Sequence, residues 1–332
     1  MVKPTSIDVL DEMFSRSGDE GTSLAFVAVR GGEVIAERYG RQPENAFQPA
    51  LDITAETPLT SWSMAKSITH AAVGILVADG RLDAQGRAPV PEWVGTDREP
   101  ITLLQLLEMR SGLHFVEEYV DGEASNCLEM LFGEVDPSFG HYAASLPLEH
   151  VPGSVFNYSS GTSNIVARIV GDAIVGGSGG EPELREQAIS EFLRERLFDP
   201  AGMESAEPKF DRAGDFVGSS YIDATARDFA RFGELYLHDG VTDRGRGERI
   251  LPEGWRDHAR TKVSHDPDSG LGYGRHFWLW PAFPGSFASH GYEGQFIAVF
   301  PDRDLVLVHL GKTDTAHNLG LQMRLTRLAE LL

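Results

Sequence analysis

The sequence predicts an α+β fold, an α/β sandwich in which an antiparallel sheet from both termini is flanked by helices and carries a mostly helical inserted domain. Apolar strands lie at both ends: Ser23–Gly40 has a hairpin pattern around Gly31-Gly32, and three late strands follow, at Gly285–His290, Gln295–Pro301 and Leu305–Leu310. Between them, apolar residues recur at helical spacing in Thr60–Leu82, Thr102–Met109, Ser160–Val175, Glu183–Leu197 and Ala224–Leu237.

This order of elements predicts a division into two parts. Residues 1–85 and 215–332 are expected to form the α/β domain with the antiparallel sheet, and Leu319–Leu332 closes it as a helix. Residues 86–214 are expected to form the mostly helical domain, in which the acidic and aromatic Phe115–Ser138 is an irregular surface loop. A cleft between two such parts is a usual place for a ligand.

Composition limits the partners that the protein can have. The chain of 332 residues carries a net charge of −21, which disfavours binding to nucleic acid or to anionic membranes. Its single cysteine, Cys127, cannot form an internal disulfide. Met1–Gly21 lacks the apolar core of a signal peptide, and no stretch is apolar enough for a membrane span. We therefore expect a soluble, cytoplasmic protein with a small-molecule partner, while the oligomeric state stays open.

The first candidate for chemistry is Ser63-Met64-Ala65-Lys66, at the start of the most apolar helix. Side chains three positions apart share a helix face, with β-carbons about 5–6 Å apart. Free backbone N–H groups at a helix start stabilise negative charge that forms beside the serine oxygen. Lys66, if burial keeps its amine neutral, can take the proton of the Ser63 hydroxyl. A plain N-terminal cap is the alternative role for this serine.

Two later segments add candidate groups. Tyr158 precedes a predicted helix, where its phenol can share protons with Ser63 and Lys66 or protonate a leaving group. The segment from Ser289 to Gln295 leads into an apolar strand, whose edge can supply a backbone N–H to an oxyanion. A packed boundary tyrosine and an ordinary turn are the structural alternatives.

Other patterns do not support a different chemistry. Gly176–Gly180 matches Gly-x-Ser-x-Gly literally, but a helix rather than a strand precedes it, so a flexible loop is expected instead of a nucleophile elbow. The histidines show no metal-ligand spacing, and no glycine-rich phosphate loop with its lysine is present. The sequence therefore predicts neither a metal nor a cofactor.

The order of these motifs resembles the serine β-lactamase and penicillin-recognising superfamily, specifically its class C branch. Ser-x-x-Lys comes early on a long helix, Tyr-x-Ser comes at a helix start in mid-chain, and a His-Gly strand comes late. Supporting segments are Ile101–Leu113, Leu197–Met203 and Ser219–Tyr236. Within the branch, Ser61–Ser67 and Met109–Tyr119 look closest to the 6-aminohexanoate-dimer hydrolases and related esterases.

The resemblance implies roles for individual residues. Ser63 would be acylated, Lys66 would be the base or a proton relay, and Tyr158 would complete the triad. The backbone N–H groups of Ser63 and Tyr292 would form the oxyanion hole, with the N–H of Glu293 as the alternative if the register differs by one residue.

The resemblance also implies a substrate-binding set, and in that set the chain departs from many relatives. Tyr119 matches a loop tyrosine that closes on substrate, and His290, Gly291 and Glu293 line the late strand. Many relatives have Lys-Thr-Gly there, and the lysine helps to hold a substrate carboxylate. His290-Gly291-Tyr292 therefore favours an ester or amide other than a β-lactam.

The sequence thus predicts a serine hydrolase that cleaves an amide or ester bond through an acyl-enzyme on Ser63. A β-lactamase remains the alternative enzyme. A non-catalytic binding protein that retains the fold and the cleft is the alternative from another class.

Overall fold

The computed structural model describes residues 4–16, 18–44, 49–118, 125–134 and 136–332. The α-helices within these ranges are α1 (Ser6–Phe14), α2 (Ala65–Ala78), α3 (Leu103–Leu107), α4 (Asn126–Phe132), α5 (Phe139–Ser145), α6 (Ser160–Val175), α7 (Pro182–Leu193), α8 (Asp199–Ala201), α9 (Ala226–Leu237), α10 (Thr242–Gly245), α11 (Trp255–Arg260) and α12 (Thr315–Leu331). The strands are β1 (Thr22–Arg30), β2 (Glu33–Tyr39), β3 (Arg41–Gln42), β4 (Leu51–Asp52), β5 (Leu59–Thr60), β6 (Glu207–Pro208), β7 (Ile222–Ala224), β8 (Ser264–His265), β9 (Gly272–Tyr273), β10 (Trp278–Leu279), β11 (Phe287–Gly291), β12 (Gln295–Phe300) and β13 (Leu305–Lys312).

The main sheet has eight strands in the order β2-β1-β13-β12-β11-β10-β9-β8. Every neighbouring pair is antiparallel, and β1 lies between β2 and β13, so strands from the two ends of the chain pair directly with each other. The α+β fold with an antiparallel sheet from both termini is therefore confirmed. The division into two domains at residues 86 and 215 stays a prediction.

Helices cover both faces of this sheet. Alternate residues of a strand point to opposite faces, and in β1 Val27 and Val29 pack into the core that includes α2, α6 and α9. Phe26 and Ala28 of the same strand pack into a second core that includes α1 and α12. Because both faces are buried, the central strands are apolar almost throughout instead of alternating with polar residues.

Helix α2 runs through the larger core and is buried over most of its length. A β-carbon at Gly74 would lie 2.5 Å from Nε1 of Trp255, so only glycine allows the close approach of α11 at that point. A helix that is apolar on most sides belongs inside a protein. Any charged residue on α2 is thereby placed in a desolvated environment.

Several element boundaries differ from those predicted. The hairpin and α6 lie where the sequence places them, but the predicted irregular loop Phe115–Ser138 contains α4, which begins after the side-chain cap Ser125. The last helix begins at Thr315 instead of Leu319, because Asp314 caps it. Within the described part of the chain, no helix combines the length and the apolar character that crossing a bilayer requires.

Candidate active site

The segment that carries Ser63 is a short 3₁₀ turn, Trp62–Met64, that leads directly into α2. Ser61 anchors it: its N–H donates to the carbonyl of Ile222 at 2.8 Å, and its hydroxyl accepts from the N–H of Ile222 at 3.1 Å. Trp62 has a φ of +44°, which is uncommon for a residue other than glycine. The turn is therefore held against β7 in a conformation that presents Ser63 at the start of the helix.

Lys66 lies one turn further along, with 1% of its surface exposed. Its amine nitrogen Nζ is 3.0 Å from Ser63 Oγ, 3.0 Å from Ser160 Oγ and 3.0 Å from the carbonyl oxygen of Ser219. Three elements of the chain thus converge on one nitrogen. Its three partners are hydroxyl and carbonyl oxygens, so none of them carries a negative charge that would pair with a protonated amine.

The protonation of Lys66 is set by competing effects. Burial lowers the pKa of the amine, because desolvation penalises the charged form, while the nearby Glu117 and Cys127 act in the opposite direction. The net result is a pKa below the ordinary lysine value. A larger fraction of Lys66 is then neutral near physiological pH than for an exposed lysine.

Tyr158 also reaches Ser63. Burial and the charge of Glu117 raise the pKa of its phenol, and hydrogen bonds with Ser63 and Trp278 oppose this without cancelling it. Its ring centroid is 4.9 Å from Lys66 Nζ. The phenol therefore stays protonated and can act as a hydrogen-bond donor at Ser63. The structure thus brings Ser63, Lys66 and Tyr158 together.

Glu117 and Ser160 belong to this cluster, although sequence reasoning gave neither a role in the chemistry. Glu117 Oε1 accepts from the Ser160 hydroxyl at 2.6 Å, and Oε2 accepts from the Ser160 backbone N–H at 2.7 Å. Ser159, the neighbour of Ser160, caps α6 through the N–H of Thr162. The acidic stretch after Phe115 and the paired serines were the available signals, but nothing in the sequence showed that they meet.

Strand β11 ends beside the 3₁₀ turn that carries Ser63. A β-carbon at Gly291 would lie 2.5 Å from the carbonyl oxygen of Ser61, so glycine is required for this approach. The ring of Tyr292 packs edge-to-face on Trp62 at 5.8 Å, and Trp62 Nε1 donates to Glu293 Oε2 at 3.3 Å. Gly291, Tyr292 and Glu293 therefore all lie next to the Ser63 segment.

His290 occupies a different environment, and Tyr119 lies outside the described residues. The His290 ring is stacked on Trp278 at 5.6 Å and contacts Phe296 edge-to-face at 4.7 Å. Burial lowers the pKa of His290 to about 3, so the ring is neutral. A neutral ring cannot reproduce the ionic contact that a lysine makes with a substrate carboxylate.

A cleft of about 530 Å³ opens beside Tyr158. Its wall is partly aromatic, from Phe115, Phe156, Tyr158 and Trp278, and its five carboxylates are Glu117, Glu118, Glu149, Asp266 and Asp268. The residues found along its lining include no lysine or arginine. The cleft therefore combines apolar surface with a negative electrostatic potential.

No group of three or more potential metal ligands among His, Cys, Asp and Glu occurs in the part of the chain that the structure describes.

Comparison with known proteins gives the family to which the chain belongs and supports its fold. Residues 10–329 match the family model described as Beta-lactamase. A 6-aminohexanoate-dimer hydrolase of Paenarthrobacter ureafaciens is 27% identical over 328 residues, covering 92% of this chain and 77% of that protein.

Solved structures of other proteins have a similar fold. A Bacillus anthracis protein provisionally named a 6-aminohexanoate-dimer hydrolase has a TM-score of 0.75 at 24% identity, covering 97% of this chain and 82% of that one. A family VIII carboxylesterase has a TM-score of 0.70 at 16% identity, covering 97% of this chain and 96% of that one. The family model spans nearly the whole chain, and this protein therefore belongs to the beta-lactamase family.

Proposed function

We propose that this protein is a serine hydrolase that cleaves an ester or amide bond through an acyl-enzyme on Ser63. The observation that carries the proposal is the buried contact of 3.0 Å between Lys66 Nζ and Ser63 Oγ, with the phenol of Tyr158 at the same hydroxyl. A nucleophile, a base and a proton donor are the three groups that acyl transfer needs. The hydrolase names of its relatives support the same class.

The hydrogen bonds around Lys66 favour it as the general base. The Ser219 carbonyl can only accept, and the Ser160 hydroxyl accepts from Lys66 because its own proton is directed to Glu117. A neutral amine has two protons for these two acceptors and one lone pair left for the Ser63 hydroxyl. Tyr158, whose pKa is raised, then serves as the acid.

The reaction follows from these assignments. Ser63 Oγ attacks the substrate carbonyl carbon as its proton passes to Lys66, and the backbone N–H groups of Ser63 and Tyr292 stabilise the oxyanion. Tyr158 protonates the leaving oxygen or nitrogen as its bond to the carbonyl carbon breaks, and it regains a proton from Lys66. Water then attacks the acyl carbonyl carbon as one of its protons passes to Lys66, the bond to Ser63 Oγ breaks, Oγ takes that proton back from Lys66, and the acid leaves.

The charge of the cleft supports a choice among substrates. A substrate carboxylate would face five carboxylates, with no lysine or arginine among the described residues of the lining, whereas an uncharged or cationic group would not be repelled. The neutral His290 supplies no cation from β11 either. We therefore propose a neutral or amine-bearing ester or linear amide as substrate, in preference to a carboxylate-bearing β-lactam.

A panel of matched substrates tests the proposal. The panel contains p-nitrophenyl esters of hexanoic acid, 6-aminohexanoic acid and the monoanion of adipic acid, together with a chromogenic cephalosporin. We expect turnover of the first two, and a kcat/KM for the cationic ester about tenfold or more above that of the anionic ester at low ionic strength. The ratio falls as salt is added, because exposed charges are screened.

Two controls belong to the panel. Glu118→Gln removes a carboxylate of the cleft and is expected to lower the ratio of kcat/KM for the cationic ester to that for the anionic ester. Glu183 is an exposed residue of α7, away from the cleft. Glu183→Gln makes the same change of net charge and is expected to leave this ratio unchanged. A preference for the anionic ester or the cephalosporin contradicts the substrate proposal. Absence of turnover of every compound contradicts the proposed activity itself and favours a binding protein.

Activity is expected to rise with pH as Lys66 loses its proton. Because the charge of Glu117 raises the pKa of Lys66, Glu117→Gln lowers that pKa and moves the rising limb of the pH–rate profile to lower pH. The profile is measured as kcat/KM for the hexanoate ester, with Glu183→Gln as the control for net charge. A rising limb that lies at higher pH in Glu117→Gln than in the wild type excludes Lys66 as the titrating base. A wild-type profile that is flat across neutral and mildly alkaline pH excludes it as well.

A further inference from the structure

We propose that His276, whose ring bonds to the backbone carbonyl of Lys66, is a positioning residue that holds the backbone of Lys66 in register with the rest of the catalytic site. The inference rests on the proposed function. His276 lies in the loop between β9 and β10 and has 2% of its surface exposed. Its ring nitrogen Nδ1 is 2.9 Å from the backbone carbonyl oxygen of Lys66.

The direction of this hydrogen bond is fixed by its chemistry. A carbonyl can only accept, so Nδ1 carries the proton and donates to Lys66. Burial lowers the pKa of His276 to about 3, so the ring is neutral and Nε2 is an acceptor. The hydroxyl of Ser163, on α6, lies 3.4 Å from Nε2. One ring therefore contacts α2 through its first nitrogen and α6 through its second.

A second hydrogen bond runs in the opposite direction. The hydroxyl of Ser67, the residue after Lys66, donates to the backbone carbonyl of His276 at 2.7 Å. Two adjacent residues of α2 are thus tied to one loop residue by a reciprocal pair of bonds. Such a pair restrains both the position and the rotation of the first turn of α2, which carries Lys66.

The backbone conformation of His276 is compatible with a role in positioning Lys66. Its φ is +55°, in the left-handed region that histidine and asparagine tolerate better than most residues, and its N–H donates to the carbonyl of Leu107. The loop connects the strands that carry Tyr273 and Trp278, whose rings lie 6.1 Å and 5.3 Å from the ring of Tyr158. His276 therefore links the aromatic surroundings of Tyr158 to the helix of Lys66.

Three variants test this role with the hexanoate ester. His276→Ala removes both ring contacts and is expected to lower kcat about tenfold, with KM within twofold, because substrate contacts are unchanged while the proton transfer is misaligned. Its pH–rate limb moves to higher pH, since a looser pocket admits water around the amine of Lys66. His276→Asn keeps a side-chain N–H for the Lys66 carbonyl and tolerates the positive φ, so it restores most of kcat. Ser67→Ala, which removes only the reciprocal bond, causes a smaller loss.

A matched control separates positioning from general destabilisation. Leu325→Ala creates a cavity under α12, in the core on the far side of the sheet, and lowers the melting temperature without touching the site. The proposal requires that kcat and the pH limb change in His276→Ala but not in Leu325→Ala, with all variants folded by circular dichroism. If His276→Ala fails to fold, the kcat values and pH–rate limbs of His276→Asn and Ser67→Ala test the positioning role instead.

Two outcomes overturn the positioning role while leaving the proposed function intact. One is an unchanged kcat and pH limb in folded His276→Ala; the other is a loss of kcat that His276→Asn does not restore. An inactive wild-type protein is a different result, because it removes the proposed function on which the positioning role rests.

Discussion

Ser63→Ala abolishes hydrolysis of the hexanoate ester, with kcat/KM reduced by about 10⁴-fold or more, as expected when an enzyme loses its covalent nucleophile. Only the oxygen that forms the bond to the substrate is removed, and the cleft and the backbone donors remain. The measurement is initial-rate kinetics at substrate concentrations on both sides of KM.

Folding and substrate binding are the controls for this result. We expect Ser63→Ala to unfold at nearly the wild-type temperature, because the turn that carries Ser63 is held by Ser61 and Ile222. Ser145→Ala, at an exposed serine of α5, is the matched substitution and keeps full activity. Turnover by Ser63→Ala at more than a few per cent of the wild-type rate would exclude an acyl-enzyme on this residue.

Lys66→Met is expected to lower kcat/KM about 10³-fold, the size of effect that a positioned general base supplies. Methionine keeps the length and the apolar part of the side chain but cannot accept the Ser63 proton. The variant also tests the energetics of burial. The free energy of unfolding is expected to stay within about 2 kcal/mol of wild type, because relief of amine desolvation offsets the hydrogen bond lost at the Ser219 carbonyl.

The matched control is Lys262→Met, which removes the same charge at an exposed position and leaves activity unchanged. Loss of activity in Lys66→Met together with a normal melting curve indicates a role in chemistry. A variant that loses activity only in proportion to its unfolded fraction would instead show that Lys66 is structural.

The sequence was informative wherever chemistry depends on local spacing. Ser63 and Lys66 are three residues apart, and one helical turn brings their side chains into contact regardless of the rest of the fold. The position of Tyr158 beside them was predicted only through the resemblance of the motif order to that of a known family. The contact of Ser160 with Glu117, 43 residues earlier, was not predicted, because it depends on how a loop packs against the start of α6.

In the fold, too, contacts between neighbouring segments were predictable from the sequence and contacts between distant segments were not. The β1–β2 hairpin and the β12–β13 pair each consist of consecutive strands joined by a short turn, so their pairing follows from neighbouring residues. Strands β8, β9 and β10 have two residues each, too few to show a periodic pattern. They pair with one another and with β11, and His276, in the loop between β9 and β10, is held by Ser67 at a separation of 209 residues, a contact that no local pattern indicates.

Detection of the covalent intermediate is the test that bears on Ser63 without an intervening step. The protein is mixed with excess hexanoate ester, quenched in acid within milliseconds to seconds, and analysed by intact-protein and peptide mass spectrometry. We predict one hexanoyl group on the wild-type protein, located on the peptide at Ser63, and none on Ser63→Ala. Turnover without such an adduct under single-turnover conditions, or an adduct on another residue, would contradict the central role of Ser63.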